Sequence, residues 1–322
     1  MKNFVTICLA LLVFSCGSPS PEKDVAGKKD EKPEKTPETK DLLQEYTKYI
    51  NSLDPESEES VGLAAEKYAV LFAQENEELC DSAFVIFDCL YKEVENKLNE
   101  RLEKNESLVD FPCINYDSLG KEMPFEKRFV TFRKRIEKNG FRIECPEGMT
   151  QIAQNRSFLK PRFYKKVSPL MKEFLGGVQK ERDEYFSYDA GIVISAQSYV
   201  DRLVWWDEFN RKHPDFILSQ KAKANQMMLF TYFLIGMDNT PVIGYSIDEN
   251  GVEKTGGLDE YFAKAYAYLS KKYPASPLNG LVSPYKMAVL KNDEAKRERL
   301  IKTYTKRGLM IDFEKGFDWD LL

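Results

Sequence analysis

The chain has 322 residues, of which 43% are hydrophobic and 31% charged, and its 47 basic and 52 acidic side chains leave a net charge of −5. This composition is that of a globular chain with one large or two modest domains, and it excludes a largely disordered chain and a multi-span membrane protein. The acidic balance also argues against nucleic acid as a partner. The single histidine, His213, excludes histidine-rich metal sites, and we expect no metal or other cofactor.

The N-terminus combines a basic start with a short apolar run. Lys2 precedes residues 4–14, which are almost entirely apolar. These eleven residues would span only about 16 Å as a helix, roughly half of a bilayer core, so the run is too short for a transmembrane anchor. A basic start followed by such a run is typical of a signal peptide.

The next residues, Val13-Phe14-Ser15-Cys16, resemble the lipobox of bacterial lipoproteins, although Phe14 is bulkier than the usual residue at its position. The resemblance implies that residues 1–15 are removed and that Cys16 is acylated, which would anchor the protein to a membrane of the cell envelope. In bacterial lipoproteins, an aspartate directly after the lipidated cysteine implies retention at the inner membrane. Here that residue is Gly17, which favours the outer membrane. Two points stay open: whether the protein faces the periplasm or the outside, and whether an ordinary secretory signal leaves Cys16 free.

Residues 17–40 are expected to form a flexible tether after the lipidated cysteine. They contain four prolines, six lysines and six acidic residues, and almost nothing apolar. Such a segment cannot bury enough surface to offset its conformational entropy. Residues 41–322 are then expected to form the folded body, as a single domain or as two lobes, 41–145 and 146–322.

Apolar residues in the body recur with the 3.6-residue period of helices. Capping residues mark several boundaries, such as Asp54-Pro55 at a start and Asn139-Gly140 at an end. The pattern predicts an all-α fold with one small β-hairpin over residues 242–255. Helices are predicted over residues 41–53, 54–72, 79–103, 125–138, 168–185, 189–211, 216–237, 260–272, 278–290 and 293–307.

Two helix junctions share a pattern. His213-Pro214 and Tyr273-Pro274 each follow basic residues at the end of one helix and precede another. The second junction, together with residues 262–266, resembles the helix-pair junction of tetratricopeptide-like bacterial lipoproteins over about 30 residues. The resemblance implies stacked helical pairs, and an irregular multi-helix bundle is the alternative. In the helix predicted over residues 168–185, Gly176-Gly177 is expected to allow close helix packing.

Four cysteines lie in the body, and an oxidising envelope favours disulfides between them. Cys80 and Cys89 lie about 13 Å apart along one predicted helix, so they cannot bond to each other. Two arrangements remain. One has two bridges, Cys89–Cys113 and Cys80–Cys145, and the other has the single bridge Cys113–Cys145.

The sequence contains none of the common catalytic or metal-binding motifs. Carboxylates could provide acid–base catalysis, and the weak candidates are Asp207, at the flank of a predicted core face, and Asp189. A buried Asp207 would need a cation, which Arg182, Arg202 or Arg211 could supply. Structural pairing is the favoured interpretation of Asp207.

Aromatic side chains are the best binding candidates. Trp205 and Phe209 lie on the polar face of their helix, so they are either buried under a neighbouring helix, which is favoured, or exposed for recognition. Phe317 and Trp319 alternate with acidic residues near the C-terminus, where such a segment either docks on its own core or recruits a partner.

These features favour a lipid-anchored cell-envelope protein that acts as a non-enzymatic interaction or assembly module for an envelope protein partner. Two alternatives stay open. One is a lipoprotein that binds a sugar or a peptide in an aromatic-lined pocket near Trp205, Phe209 or residues 227–233. The other is a hydrolase that works through carboxylates.

Overall fold

The computed structural model describes residues 37–104, 121, 124, 126–146, 149–247 and 253–322. Within these residues the chain forms eleven α-helices and four antiparallel hairpins of two strands each. The prediction of an all-α fold with a small β-hairpin is therefore confirmed. Among the described helices, none has the length and apolar character needed to cross a membrane.

The chain divides into two compact units, one ending at Leu175 and the other beginning at Gly176. This boundary lies further along the chain than the predicted lobe boundary after residue 145. The signal peptide, Cys16, most of the tether and Cys113 lie outside the described residues, so the predictions about them stay predictions.

The first unit is built around one long helix, α3 (Glu77–Lys104). This helix contacts α1 (Pro37–Ser52), α2 (Glu59–Leu71) and strand β2 (Gln151–Gln154). The aromatic ring of Phe163, on a short helix, lies 4.6, 5.2 and 4.4 Å from the rings of Tyr68, Phe84 and Phe87. These rings form the centre of the unit's core. The elements are α1 (Pro37–Ser52), α2 (Glu59–Leu71), α3 (Glu77–Lys104), α4 (Lys127–Lys138), β1 (Phe141–Glu144), β2 (Gln151–Gln154), a 3-10 turn (Arg156–Phe158) and α5 (Leu159–Phe163).

Side chains of α3 complete the hydrogen bonding along one edge of β2. The Asn99 amide donates to the Ile152 carbonyl and accepts from the Ile152 N–H, at 2.8 and 2.9 Å. The Glu95 carboxylate accepts from the Gln154 N–H at 3.0 Å. Because unpaired backbone groups are costly to bury, these bonds fix the two-stranded sheet against the helix.

The second unit begins within α6 (Pro169–Asp183) and contains three of the four hairpins. Helix α7 (Ala196–Lys212) contacts both α8 (Ser219–Ile235) and α9 (Glu260–Lys272). Helix α10 (Leu278–Leu290) contacts α11 (Glu294–Lys306) and strand β8 (Glu253–Leu258). The elements are β3 (Ser187–Tyr188), β4 (Gly191–Ile192), α7 (Ala196–Lys212), α8 (Ser219–Ile235), β5 (Gly236–Met237), β6 (Thr240–Pro241), β7 (Ile243–Ile247), β8 (Glu253–Leu258), α9 (Glu260–Lys272), α10 (Leu278–Leu290), α11 (Glu294–Lys306) and a 3-10 turn (Trp319–Leu321).

The two junctions that share a sequence pattern also share a backbone conformation. His213 ends α7 with φ −130° and ψ 57°, and Tyr273 ends α9 with φ −123° and ψ 57°. In each junction the N–H of this residue donates to the carbonyl four residues earlier at 2.9 Å. Proline follows in both cases and prevents the helix from continuing. Helices α7–α8 and α9–α10 are therefore two similar pairs, which fits the stacked alternative for this part of the chain.

Three predicted helix starts are wrong. The helix predicted from residue 41 begins at Pro37, because proline is favoured at the first position of a helix, so residues 37–40 do not belong to the tether. The helix predicted from Asp54 begins at Glu59, because the Asp54 carboxylate accepts a hydrogen bond from the Glu56 N–H, forming a turn instead of a helix cap. The helix predicted from Asp189 begins at Ala196, where the Ser195 hydroxyl caps it by accepting from the Ser198 N–H. Asp189 itself has φ 46° at the tip of the β3–β4 hairpin.

Only one of the four hairpins was predicted from the sequence. Strands β7 and β8 agree with the predicted hairpin at residues 242–255, although the turn between them lies outside the described residues. The β3–β4 and β5–β6 hairpins have strands of two residues, and β1–β2 strands of four, which is too short for alternation to be recognised.

The paired glycines in α6 have different surroundings. A Cβ atom on Gly177 would lie 2.4 Å from the Trp205 ring, whereas one on Gly176 would meet no atom within 4 Å. The predicted close packing therefore holds for Gly177, which lets α6 approach α7 at this tryptophan.

The cysteines do not form the two-bridge arrangement. Cys80 is a buried free thiol, so it is not bonded to Cys145. Cys145 is disulfide-bonded, while Cys113 lies outside the described residues, and the bridge Cys113–Cys145 stays a prediction. Cys89 is half-buried on α3.

We predict opposite effects of alanine at the two glycines. Gly177→Ala should destabilise the protein by about 1–3 kcal/mol, because its Cβ would overlap the Trp205 ring. Gly176→Ala should be neutral or stabilise by up to about 1 kcal/mol through helix propensity. The urea midpoints of the two variants measure the difference, and equal midpoints would contradict the close contact.

We also predict that the Cys80 thiol reacts slowly in the folded protein. Burial raises the pKa of the Cys80 thiol, so less thiolate is present near neutral pH and iodoacetamide modifies it slowly until denaturant is added. Peptide mapping of the non-reduced protein should then yield unmodified Cys80 and a linked Cys113–Cys145 peptide. A linked Cys80–Cys145 peptide would contradict the prediction.

Candidate functional site

Helix α8 supplies the floor of a large cavity in the second unit. Leu229, Phe233 and Leu234 are fully buried, while Met227 is only half-buried. The stretch around them is apolar on every face, a pattern that is typical of a buried helix. The structure differs at Met227 because that side of the helix is only partly covered by the rest of the unit.

The C-terminal segment, residues 309–322, lies along this side of α8. The Ile311 N–H donates to the hydroxyl of the buried Thr231 at 2.9 Å, and Met310 and Ile311 are themselves buried. Beyond them, the 3-10 turn Trp319–Leu321 contacts α8 again. The segment is therefore attached to α8 at both of its ends.

Between α8 and the C-terminal segment is a cleft of about 750 Å³, which we call the α8 groove. It is open to solvent along one side, and helices α7 and α10 complete its walls. Most of its lining surface is apolar, as is usual for binding sites of this size. The apolar side chains that line it are Ala224, Met227, Phe230, Pro277, Leu278, Leu281, Leu309, Met310, Phe317 and Leu321.

A polar network forms one wall of the α8 groove. The two carboxylate oxygens of Asp207 accept from Arg211 at 2.9 Å and from Gln226 at 3.0 Å. The Asn210 amide then donates to the Gln226 side chain at 2.7 Å and to the Ala222 carbonyl at 3.1 Å. These bonds join α7 to α8 and hold the wall in one arrangement.

Asp207, a weak catalytic candidate, is buried at 6% exposure and is paired structurally, as favoured. Of the three arginines that could supply its cation, Arg211 does so. Arg202 pairs instead with Glu181, at 2.8 Å, and with Glu184. The other candidate, Asp189, lies exposed at a hairpin tip, and it does not line the α8 groove.

Trp205 and Phe209 do not form an exposed recognition patch. Phe209 is only 2% exposed, and Trp205 is half-buried with its ring stacked on that of Phe209 at 5.4 Å. The favoured interpretation, burial against a neighbouring helix, therefore describes this pair. Neither residue lines the α8 groove.

Phe317 and Trp319 were predicted either to dock on the protein's own core or to recruit a partner, and the two side chains differ in their surroundings. Phe317 is half-buried and lines the α8 groove, and its ring lies 4.8 Å from that of Trp319 in an edge-to-face contact. Trp319 is 51% exposed, and Phe313 is 57% exposed. The segment thus docks on its own core and also presents two large aromatic side chains to solvent.

Charged side chains mark the rim of the α8 groove. Lys315 pairs with Asp312 at 2.9 Å. Lys223 on α8 and Lys306 at the end of α11 are exposed, and within the described chain neither is within 4.0 Å of a carboxylate oxygen. Asp318 also lines the groove.

A second cavity, in the first unit, is smaller and polar, at about 340 Å³. Its central group, the carboxylate of Glu58, is buried and forms ion pairs with Arg135 and, at 4.0 Å, with Arg101. A buried carboxylate neutralised in this way has a structural explanation, so the cavity is the weaker candidate. In the part of the chain that the structure describes, no cluster of three or more His, Cys, Asp or Glu side chains could hold a metal ion.

Comparisons with known proteins add no assignment. The sequence matches no protein-family model and no curated protein, and no solved structure matches the fold.

Sequence reasoning found only part of the α8 groove. It named Asp207, Phe317 and residues 227–233 as candidates, but not Asn210, Gln226, Leu281 or Leu309. The missed residues carry no sequence motif, since they become neighbours only when the C-terminal segment lies beside α8.

Proposed function

We propose that this protein is a lipid-anchored protein of the bacterial cell envelope, acylated at Cys16 and held at the outer membrane. Its helical body acts as a non-enzymatic interaction module, and the α8 groove binds a segment of a partner protein. The membrane is contacted through the lipid, while the charged tether that precedes α1, residues 17–36, lets the body reach its partner.

The observation that carries the binding role is an open, mostly apolar groove with exposed aromatic side chains beside it. Met227, Phe230 and Leu281 offer an apolar floor, and the exposed Trp319 lies next in the chain to Asp318, which lines the groove. Apolar floors edged by aromatic residues are typical of surfaces that bind peptide segments.

A small ligand is the second candidate. The groove's volume of about 750 Å³ falls within the range of small-molecule sites, and Phe230 and Phe317 could contact a flat apolar or sugar ring. A carboxylate-dependent hydrolase gains no comparable support. Both oxygens of Asp207 are already engaged by Arg211 and Gln226, and no carboxyl group is among its described partners.

Lipidation is tested by replacing the cysteine. Full-length Cys16→Ser, produced in a Gram-negative host, should lose incorporation of an alkyne-labelled palmitate and should leave the membrane fraction. Cys8→Ser is the matched control, since Cys8 lies in the segment that is removed, and it should keep both properties. Labelling that persists in Cys16→Ser would contradict the lipobox assignment.

Binding in the α8 groove is tested by photocrosslinking in native membranes. A photoreactive phenylalanine analogue in place of Met227 should give a discrete crosslinked protein, because this side chain lines the groove. The same analogue in place of Met287, a 45%-exposed methionine outside the groove, is the control. A crosslink that depends on position 227 and is lost in the additional variant Leu281→Asp supports the proposal.

The absence of any crosslink specific to position 227 would contradict the protein-binding role. The small-ligand candidate makes a different prediction: binding of a sugar or a short peptide should change tryptophan fluorescence through Trp319, without a crosslinked protein.

A further inference from the structure

The cations around the α8 groove are not all used by the protein itself. Arg211 is neutralised by Asp207, and Lys315 by Asp312. Lys223 and Lys306 have no such carboxylate among the described residues. Of the side chains that line the groove, they are the two exposed cations left available to a ligand.

These two lysines lie on different helices, and their positive charge is opposite in sign to the net charge of the chain. Lys223 lies near the start of α8, and Lys306 lies in the last turn of α11. The chain has a net charge of −5, so most of its surface would repel a second molecule that is also negatively charged. At the groove, by contrast, the free charges favour an anionic ligand.

The protein's own C-terminal segment shows what kind of polypeptide packs here. Residues 312–321 alternate acidic side chains with aromatic and apolar ones, and Phe317 and Leu321 lie in the groove wall. Asp312 and Asp318 line the same wall. The groove thus already accepts, within one chain, a segment that combines apolar side chains with carboxylates.

We propose that the occupant of the α8 groove is an acidic segment of a partner protein, with aromatic or other apolar side chains between its carboxylates. The apolar side chains lie on Met227, Phe230 and Leu281, while the carboxylates pair with Lys223 and Lys306. This inference rests on the proposed function, because it specifies the chemistry of the segment that the groove binds. Complementary charge would let the groove select acidic over basic segments, and it would increase the rate of association.

The test uses the full-length lipidated protein in detergent and three fluorescein-labelled peptides of one length. The first alternates Asp with Phe, the second Lys with Phe, and the third Asp with Ser. Fluorescence anisotropy at low salt should show the Asp–Phe peptide binding at least about tenfold more tightly than either other peptide, with affinity falling as salt is added. Equal or tighter binding of the Lys–Phe peptide would overturn the proposal.

Charge reversal identifies the site. The double variant Lys223→Glu/Lys306→Glu should bind the Asp–Phe peptide about tenfold more weakly. The matched control Lys271→Glu/Lys291→Glu changes the same charge at exposed lysines outside the groove, and its affinity should stay within about twofold of the wild type. Circular dichroism confirms that both variants fold. Unchanged binding by the first variant overturns the proposal.

The crosslink from position 227 separates this inference from the proposed function. If that crosslink forms and survives Lys223→Glu/Lys306→Glu, the groove binds a partner but not through these charges, so only the present inference fails. Self-association in sedimentation that is lost in the same variant would show that the occupant is a second copy of this chain, which also overturns the inference.

Discussion

A buried hydroxyl on α8 fixes the position of the C-terminal segment and, with it, the candidate site. Thr231 has no exposed surface; its hydroxyl donates to the Met227 carbonyl and accepts from the Ile311 N–H. A buried N–H without a partner would cost about 1–3 kcal/mol, so the segment cannot shift along the helix without replacing this bond. The second wall of the α8 groove therefore depends on one threonine in an otherwise apolar stretch.

The same constraint governs the packing elsewhere in each unit. In the first unit, Asn99 and Glu95 on α3 satisfy the edge of β2, and Arg156 pairs with Asp88 at 2.7 Å in the interior. In the second, Gln226 joins Asp207 to Asn210 between α7 and α8. Since a buried charge or amide must find a partner, these side chains select one packing arrangement among those that hydrophobic burial alone would allow.

The charge of the α8 groove depends on which of its ionic side chains have no partner within the protein. Asp207 is neutralised by Arg211 and so contributes shape and polarity rather than reactive chemistry. Lys223 and Lys306 stay available at the rim, next to an apolar floor and two exposed aromatic rings. These properties support the proposed recognition of a polypeptide segment. They also agree with the proposal that a lipid and a flexible tether hold the body near a membrane.

Helix periods and boundaries were largely predictable from the sequence. The helices at Glu260–Lys272 and Leu278–Leu290 have the predicted bounds, because local residues set them: Asp259 caps the start of the first, and prolines lie between the two. The errors at Asp54 and Asp189 arose where an aspartate forms a turn of its own. Hairpins with two-residue strands could not be predicted, since so short a strand has no period.

The sequence by itself determined the helical class, the matching junctions at His213-Pro214 and Tyr273-Pro274, and the expectation of a lipid at Cys16, because each depends on neighbouring residues. Only the tertiary structure decided that Phe209 is buried and that Arg211 is the cation beside Asp207. It also decided that Lys223, Leu281 and Phe317 share one groove. These facts depend on contacts between distant parts of the chain, which the packing of α7, α8 and the C-terminal segment brings together.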